Sequence, residues 1–223
     1  MRRIFAVGDI HGCDVALETL LEQLALSPEE RLILLGDVID RGPDSRRVVE
    51  MLLEIGSCCR MDFVMGNHEQ MLLDSLENPA VAESWLGWGG AETLDSYGGH
   101  FADIPDAHLE FFAHALPYVE TDNDVCVHAN LEPGVALDEQ TGQWLRWQKI
   151  SGNERPYESG KRVICGHTPM PGDIPHTLDG WVMIDTGAYK GGFLTALELS
   201  TGEIIQARQT GEFRRGVYLD ELS

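Results

Sequence analysis

The sequence predicts an α/β protein. Three observations carry that reading: short apolar runs that stop at Gly-Asp or Gly-Asn, helical repeats between them, and a second half dominated by β-type runs. The first run, Ile4 to Val7, ends at Gly8-Asp9 and has the length of a buried parallel strand. Leu17, Leu20, Leu21 and Leu24 then recur at i, i+3, i+4 and i+7, one face of a helix. Leu32 to Leu35 repeats the strand pattern before Gly36-Asp37. Pro43-Asp44-Ser45 is a helix start signal, and Val48, Leu52 and Ile55 supply the apolar face that follows. Phe63 to Met65, before Gly66-Asn67, completes a βαβαβ unit with right-handed crossovers expected.

From Met71 to about Pro117 the pattern is helical, broken at Trp85-Leu86-Gly87-Trp88-Gly89-Gly90 and Ser96-Tyr97-Gly98-Gly99, and it reads as an insertion beside the site. Strand-type runs follow at Val125 to Val127, Val163 to Cys165, Val182 to Ile184, Phe193 to Leu199 and Ile204 to Ala207, separated by Gly/Pro turns. Gly211 to Ser223 lacks periodicity and reads as a loose tail. With 223 residues and 43 % apolar content, a single domain spanning 1–223 is the expectation, with the helical insertion at about 71–117.

The formal charge is −21, from 16 basic and 37 acidic residues. Such a field repels a nucleic-acid backbone, so nucleic acid is not expected as a partner. It equally opposes an anionic phosphate substrate unless cations gather at one point, which divalent metal ions would do. Five cysteines form no C-x-x-C pair, so a reduced, cytoplasmic setting is the simplest expectation. Met-Arg-Arg and the run Ile4 to Val7 fall short of a signal-peptide core because Asp9 and His11 interrupt them, and no apolar stretch reaches membrane-spanning length.

Five blocks carry the chemistry: Gly8-Asp9-Ile10-His11-Gly12, Gly36-Asp37-Val38-Ile39-Asp40-Arg41-Gly42, Gly66-Asn67-His68-Glu69, Val127-His128-Ala129-Asn130 and Gly166-His167-Thr168. Each follows a strand-type run, so all five fall at strand ends, where open α/β sheets build their sites. Asp9 and His11 alternate about one residue and leave the same turn on the same side. Alone, that triplet is equally an Asp cap beside a hydrogen-bonded His. Asp37 stands after its strand as Asp9 does after the first, so a carboxylate there could bridge two metals. The neutral oxygen of Asn67 can complete a divalent ion's shell without adding charge. His11, His68, His128 and His167 share these strand ends, whereas His100, His108, His114 and His176 read as ordinary structural histidines.

Taken together, the blocks resemble the phosphoprotein phosphatase branch of the calcineurin-like metallophosphoesterases: GDxHG, GDxxDRG, GNHE, a later His and a GH. The resemblance runs from Gly8 to about Leu197. It implies an α/β/β sandwich of the four-layer type, with Asp9, His11 and Asp37 around one metal and Asp37, Asn67, His128 and His167 around the other. It also implies that His68 is the general acid, that Asp40 orients it, and that Asn67 adjoins the substrate phosphate. Two cations about 3.5 to 4 Å apart would acidify a shared water for in-line attack on phosphorus. His68 would then protonate the leaving alkoxide, with Asp40 stabilising the imidazolium; the other reading of Asp40 is a turn former before Gly42-Pro43. Arg41, beside the bridging carboxylate, is suited to gripping phosphate oxygens with two N–H groups, against the alternative of a surface salt bridge. Trp144-Leu145-Arg146 resembles the Trp-x-Arg of bacterial and phage members, which implies a second phosphate arginine at Arg146. The Trp85 to Tyr97 segment is similar to an insertion that borders the substrate groove in bacterial members, or else packs a helical layer. Asp185 is expected to support the site rather than to act on substrate.

The leading expectation is a manganese-type serine/threonine protein phosphatase acting on phosphoproteins, with iron or zinc as other candidate metals. The competing one is a symmetrical bis(5'-nucleosyl)-tetraphosphate hydrolase, which shares every block. A silent scaffold would show decay at ligand positions, and every expected ligand is present.

Overall fold

A computed structural model describes residues 2–222. The βαβαβ unit forms as β1 (Ile4–Val7), α1 (Asp14–Leu24), β2 (Arg31–Leu34), α2 (Ser45–Cys58) and β3 (Arg60–Phe63). Helices α3 (Asn67–Ser75), α4 (Pro79–Trp85), α5 (Ala91–Tyr97) and α6 (Asp106–Ala113) make the helical insertion, with a wide turn at Leu86–Gly90. Then come β4 (Val119–Glu120), β5 (Asp124–Val127), α7 (Gly142–Trp147), β6 (Arg162–Cys165), β7 (His176–Leu178) and β8 (Trp181–Met183). The last strands are β9 (Leu194–Glu198), β10 (Glu203–Ala207) and β11 (Phe213–Tyr218).

The strands form two sheets. The first has the order β11-β10-β9-β1-β2-β3, and the second β4-β5-β6-β8-β7. Strands β1, β2 and β3 run parallel, as do β5, β6 and β8. Alternation along β1 explains the layers: Phe5 and Val7 face α1 and α2, burying Leu17, Leu20, Val48 and Leu52, whereas Ala6 faces the other way. Ala6, Ile33 and Leu35 meet Cys126, Ile164 and Val182 of the second sheet, so the two sheets share a dry interface. Val125, Val127 and Val163 point outward from the second sheet beneath Leu131 and Leu145. The result is the helix/sheet/sheet sandwich expected from the resemblance.

Helix α2 begins where the sequence signal places it, with the Asp44 carboxylate accepting from Arg47 N–H at 2.8 Å. Two expectations need correction. The third strand is Arg60–Phe63 rather than Phe63 to Met65. Its charged residues are paired sideways, Arg31 with Asp62 at 2.5 Å, while Met65 leaves the sheet to donate to Leu116 O. Nor is the stretch after Gly211 loose: β11 pairs antiparallel with β10. Arg214 lies over the Phe193 ring at 4.0 Å, a cation–aromatic contact where an apolar residue would have given a visible period. Ser223 lies outside the described residues. Among the described residues, no helix is long and apolar enough to cross a membrane.

Candidate metal centre

The loops after β1, β2, β5 and β6 and the start of α3 converge on one cluster. Ile10 and His11 N–H both donate to Asp37 O, at 3.0 and 2.8 Å, so the first two blocks are tied backbone to backbone. Seven described residues other than glycine have positive φ, and five of them, His11, Asp37, Asp40, Arg41 and His167, belong to this cluster. Left-handed backbone at non-glycine residues costs free energy and persists only where surrounding contacts impose it. Gly166 leaves room for Asp9, since a Cβ there would sit 2.0 Å from the Asp9 carboxylate.

Asp37 occupies the centre. Its carboxylate lies 3.5 Å from His11 Nε2 on one side and 3.4 Å from His128 Nε2 on the other, and it accepts from His68 N–H at the first turn of α3. Two sets of ligand atoms share it: His11, Asp37 and His68, and Asp37, His128 and His167, each within 4.8 Å of one another. Asn67 Oδ1 stands 3.0 Å from both His128 Nε2 and His167 Nδ1. Asp9 is outside those two sets, but its carboxylate accepts from His167 N–H at 3.0 Å and is buried beside Asp37 and Asp185. Thus the structure gathers every predicted ligand, with Asp9 at the margin.

The imidazoles are aimed by their second nitrogens. His11 Nδ1 pairs with Ile39 O at 2.9 Å, His128 Nδ1 with Leu35 O at 2.7 Å, and His167 Nε2 with Trp147 O at 3.2 Å. A carbonyl can only accept, so each of these nitrogens carries the proton and the opposite lone pair faces the cluster. Burial pushes His11 down to about 3 and His167 to about 4, which keeps both neutral and able to coordinate. Burial, with Asp185 and Asp37 nearby, pushes the Asp9 carboxyl well up, and burial pushes Asp185 to about 6. Three crowded carboxylates, neutral imidazoles and a neutral amide oxygen form a donor set that fits divalent cations.

His68 Nδ1 lies 2.5 Å from Asp40 Oδ2, and its buried Nε2 has no hydrogen-bond partner and faces Asp37 Oδ2 at 3.9 Å. Burial opposes its charged form, but Asp37 and Asp40 outweigh burial and raise its pKa. Arg41 Nη1 reaches His11 Nε2 at 2.9 Å, and Arg41 forms no ion pair among the described residues, unlike a surface salt bridge. A shallow pocket of about 470 Å³, lined by Arg41, Trp88, Glu92 and Tyr189, opens beside it. Arg146 is half-buried and donates to Gln70 Oε1 at 2.8 Å, one turn along α3 from the cluster. Asn130 points elsewhere: its Nδ2 donates to Lys149 O and its Oδ1 accepts from Leu131 N–H. Another cavity, about 480 Å³ beside Trp144, Tyr157 and Trp181, contains none of the candidate ligands.

Glu69 was not among the expected site residues. Its carboxylate is fully buried under the second block, Oε2 accepting from Asp37 N–H at 2.8 Å and Gly66 N–H at 3.1 Å, and Oε1 from Val38 N–H at 2.8 Å. The detectable signal was a charged residue at the third helical position after Gly66, the capping-box spacing.

The chain is similar to known phosphatases and tetraphosphatases. Over 209 residues the chain is 33 % identical to serine/threonine-protein phosphatase 2 of Escherichia coli, covering 87 % of this chain and 91 % of that protein. It is 44 % identical over 137 residues to a symmetrical bis(5'-nucleosyl)-tetraphosphatase of Erwinia tasmaniensis, covering 58 % of this chain and 44 % of the relative. A crystal structure provisionally described as a diadenosine tetraphosphatase superposes with a TM-score of 0.71 at 22 % identity, covering 97 % of this chain and 94 % of that one. Residues 2–190 match the family described as calcineurin-like phosphoesterase, and the chain belongs to that family.

Proposed function

We propose that the chain is a two-metal phosphomonoesterase acting on phosphoserine and phosphothreonine in proteins. The observation that carries the hydrolytic reading is the Asp37 carboxylate set between two imidazole groups, with a buried, unpartnered His68 Nε2 facing it. Asp9, His11 and Asp37 would hold one cation, and Asp37, Asn67, His128 and His167 the other. Two divalent cations there, manganese first and iron or zinc otherwise, would supply Lewis acidity toward the phosphoryl group and acidify a water for attack.

The chain's own residues do the rest. Arg41 and Arg146 neutralise and orient the phosphate oxygens, with Asn67 adjoining them. His68 acts as an imidazolium whose Nδ1–H faces Asp40; Asp40 stabilises that charged form, and the Nε2 proton goes to the departing alkoxide, leaving the ring neutral. The protein-substrate reading is supported by the near full-length match to an enterobacterial protein phosphatase, against partial coverage of the symmetrical tetraphosphatase relative. A reduced, cytoplasmic location fits five free cysteines.

The test compares kcat/KM on a phosphothreonine peptide with that on diadenosine tetraphosphate in Mn²⁺ buffer, using His68→Ala as the blank. Preference for the peptide is expected. Preference for the dinucleotide would replace the protein substrate with a nucleotide.

A further inference from the structure

Asp40 and Arg41 are consecutive residues in left-handed backbone, with φ of 73° and 69°. Such a pair does not hold itself, and what holds it lies about fifty residues away in the helical insertion. Asp40 is completely buried. Its Oδ1 accepts from Thr93 Oγ1 at 2.7 Å, and its Oδ2, besides facing His68, accepts from Trp85 Nε1 at 2.8 Å. The Asp40 backbone N–H is also claimed, by Thr93 Oγ1 of the insertion at 2.9 Å and by Ser45 Oγ at the start of α2 at 3.0 Å. The next residue is gripped by the wide turn: Arg41 N–H donates to Gly89 O at 3.1 Å and Arg41 Nε to Trp88 O at 3.3 Å. Gly89 permits this approach, since it has φ of 116° and a Cβ there would lie 2.6 Å from Arg41 Cγ.

We infer that residues 85–93 are a positioning clamp for catalysis, in which Trp85 and Thr93 align the carboxylate that orients His68, while the Trp88-Gly89 backbone aims Arg41. This rests on the roles proposed above for His68, Asp40 and Arg41. Trp85 and Thr93 are fully buried, so simple packing is the rival explanation. The polar geometry argues against packing alone. The indole N–H is donor-only, and both side chains aim donors at one buried carboxylate whose other partner is His68 Nδ1, with no lysine or arginine ion pair to it among the described residues. Without them the carboxylate could turn about its own side-chain torsions, and His68 Nε2 would lose its aim at the leaving oxygen.

The experiment uses the full-length, Mn²⁺-loaded protein and two substrates, p-nitrophenyl phosphate, whose leaving group needs little protonation, and a phosphothreonine peptide, whose alkoxide needs a proton. Thr93→Val is close to isosteric and removes the hydroxyl, Thr93→Ser restores it, and Trp85→Phe removes the indole N–H. The clamp predicts that Thr93→Val and Trp85→Phe lower kcat on the peptide about tenfold and on p-nitrophenyl phosphate less than about threefold. It predicts recovery in Thr93→Ser and no further loss when Thr93→Val is added to His68→Ala. Equal losses on both substrates, or full additivity with His68→Ala, would overturn it in favour of packing. His68→Ala separates the two levels of the argument. If His68→Ala shows the substrate split and Thr93→Val does not, the clamp alone fails; if His68→Ala slows both substrates equally, the acid role fails and the clamp falls with it.

Discussion

Glu69→Gln is a single-atom change in shape and a severe one in hydrogen bonding. Both carboxylate oxygens of Glu69 accept from buried backbone N–H groups: Asp37 and Gly66 on one, Val38 on the other. A glutamine has only one oxygen, so in either orientation its NH₂ faces at least one N–H donor that then has no acceptor. An orphaned buried donor costs about 1 to 3 kcal/mol, and the surviving contacts weaken because the acceptor loses its charge, for a total of about 3 kcal/mol. In a chain of this size that corresponds to a fall in Tm of about 6 to 12 °C. The donors lost belong to the turn that carries Asp37, whose φ is 51°, so cation affinity should fall as well. Thermal melts of wild type and Glu69→Gln, each with and without Mn²⁺, make the measurement. A Tm within about 2 °C of wild type together with unchanged Mn²⁺ affinity would refute the reasoning.

Asp37→Ala removes the carboxylate common to both ligand sets and should abolish binding of both cations and nearly all activity; retention of either cation by elemental analysis would contradict its bridging role. Arg146→Ala should raise KM for phosphate esters several-fold with a smaller change in kcat, and an unchanged KM would remove Arg146 from the site. Cation binding should be pH-dependent with a defined sign. Burial raises Asp9 and Asp185, the latter to about 6, whereas His11 and His167 sit near 3 and 4. The carboxylates hold protons in the metal-free cluster that cations must displace, and the histidines hold none above about pH 5. Affinity should therefore rise from pH 5.5 to 7.5 with proton release, read by titration calorimetry in buffers of different ionisation enthalpy; zero release at about pH 6 would count against this.

How much of this was legible depended on whether the signal was local. Asp9, His11, Asp37, Asn67, His128 and His167 could be found because each follows an apolar run that ends at it, and parallel pairing of β1 with β2 and of β5 with β6 then brings distant blocks together. Asp40 could be found as a candidate but not its environment, since Trp85 and Thr93 reach it from 45 and 53 residues away with no periodic pattern to announce them. Trp85 read equally as groove wall and as packing, and it packs while also donating. Glu69 looked like one more acid in an acidic chain, and only the folded turn shows four N–H groups converging on it. Strand β3 was displaced because Arg31 and Asp62 satisfy each other across neighbouring strands, which hides charged residues from an apolar-run criterion. Strand β11 was missed for a related reason: Arg214 packs on Phe193 as an aliphatic residue would.

The central claim is that one buried carboxylate, Asp37, is shared by two cations. Crystals soaked in Mn²⁺ and measured at the manganese absorption edge test it most directly. The account predicts two anomalous peaks about 3.5 to 4 Å apart with the Asp37 carboxylate between them, one beside His11 and the other beside Asn67, His128 and His167. A single peak, or a pair that does not share Asp37, would contradict it.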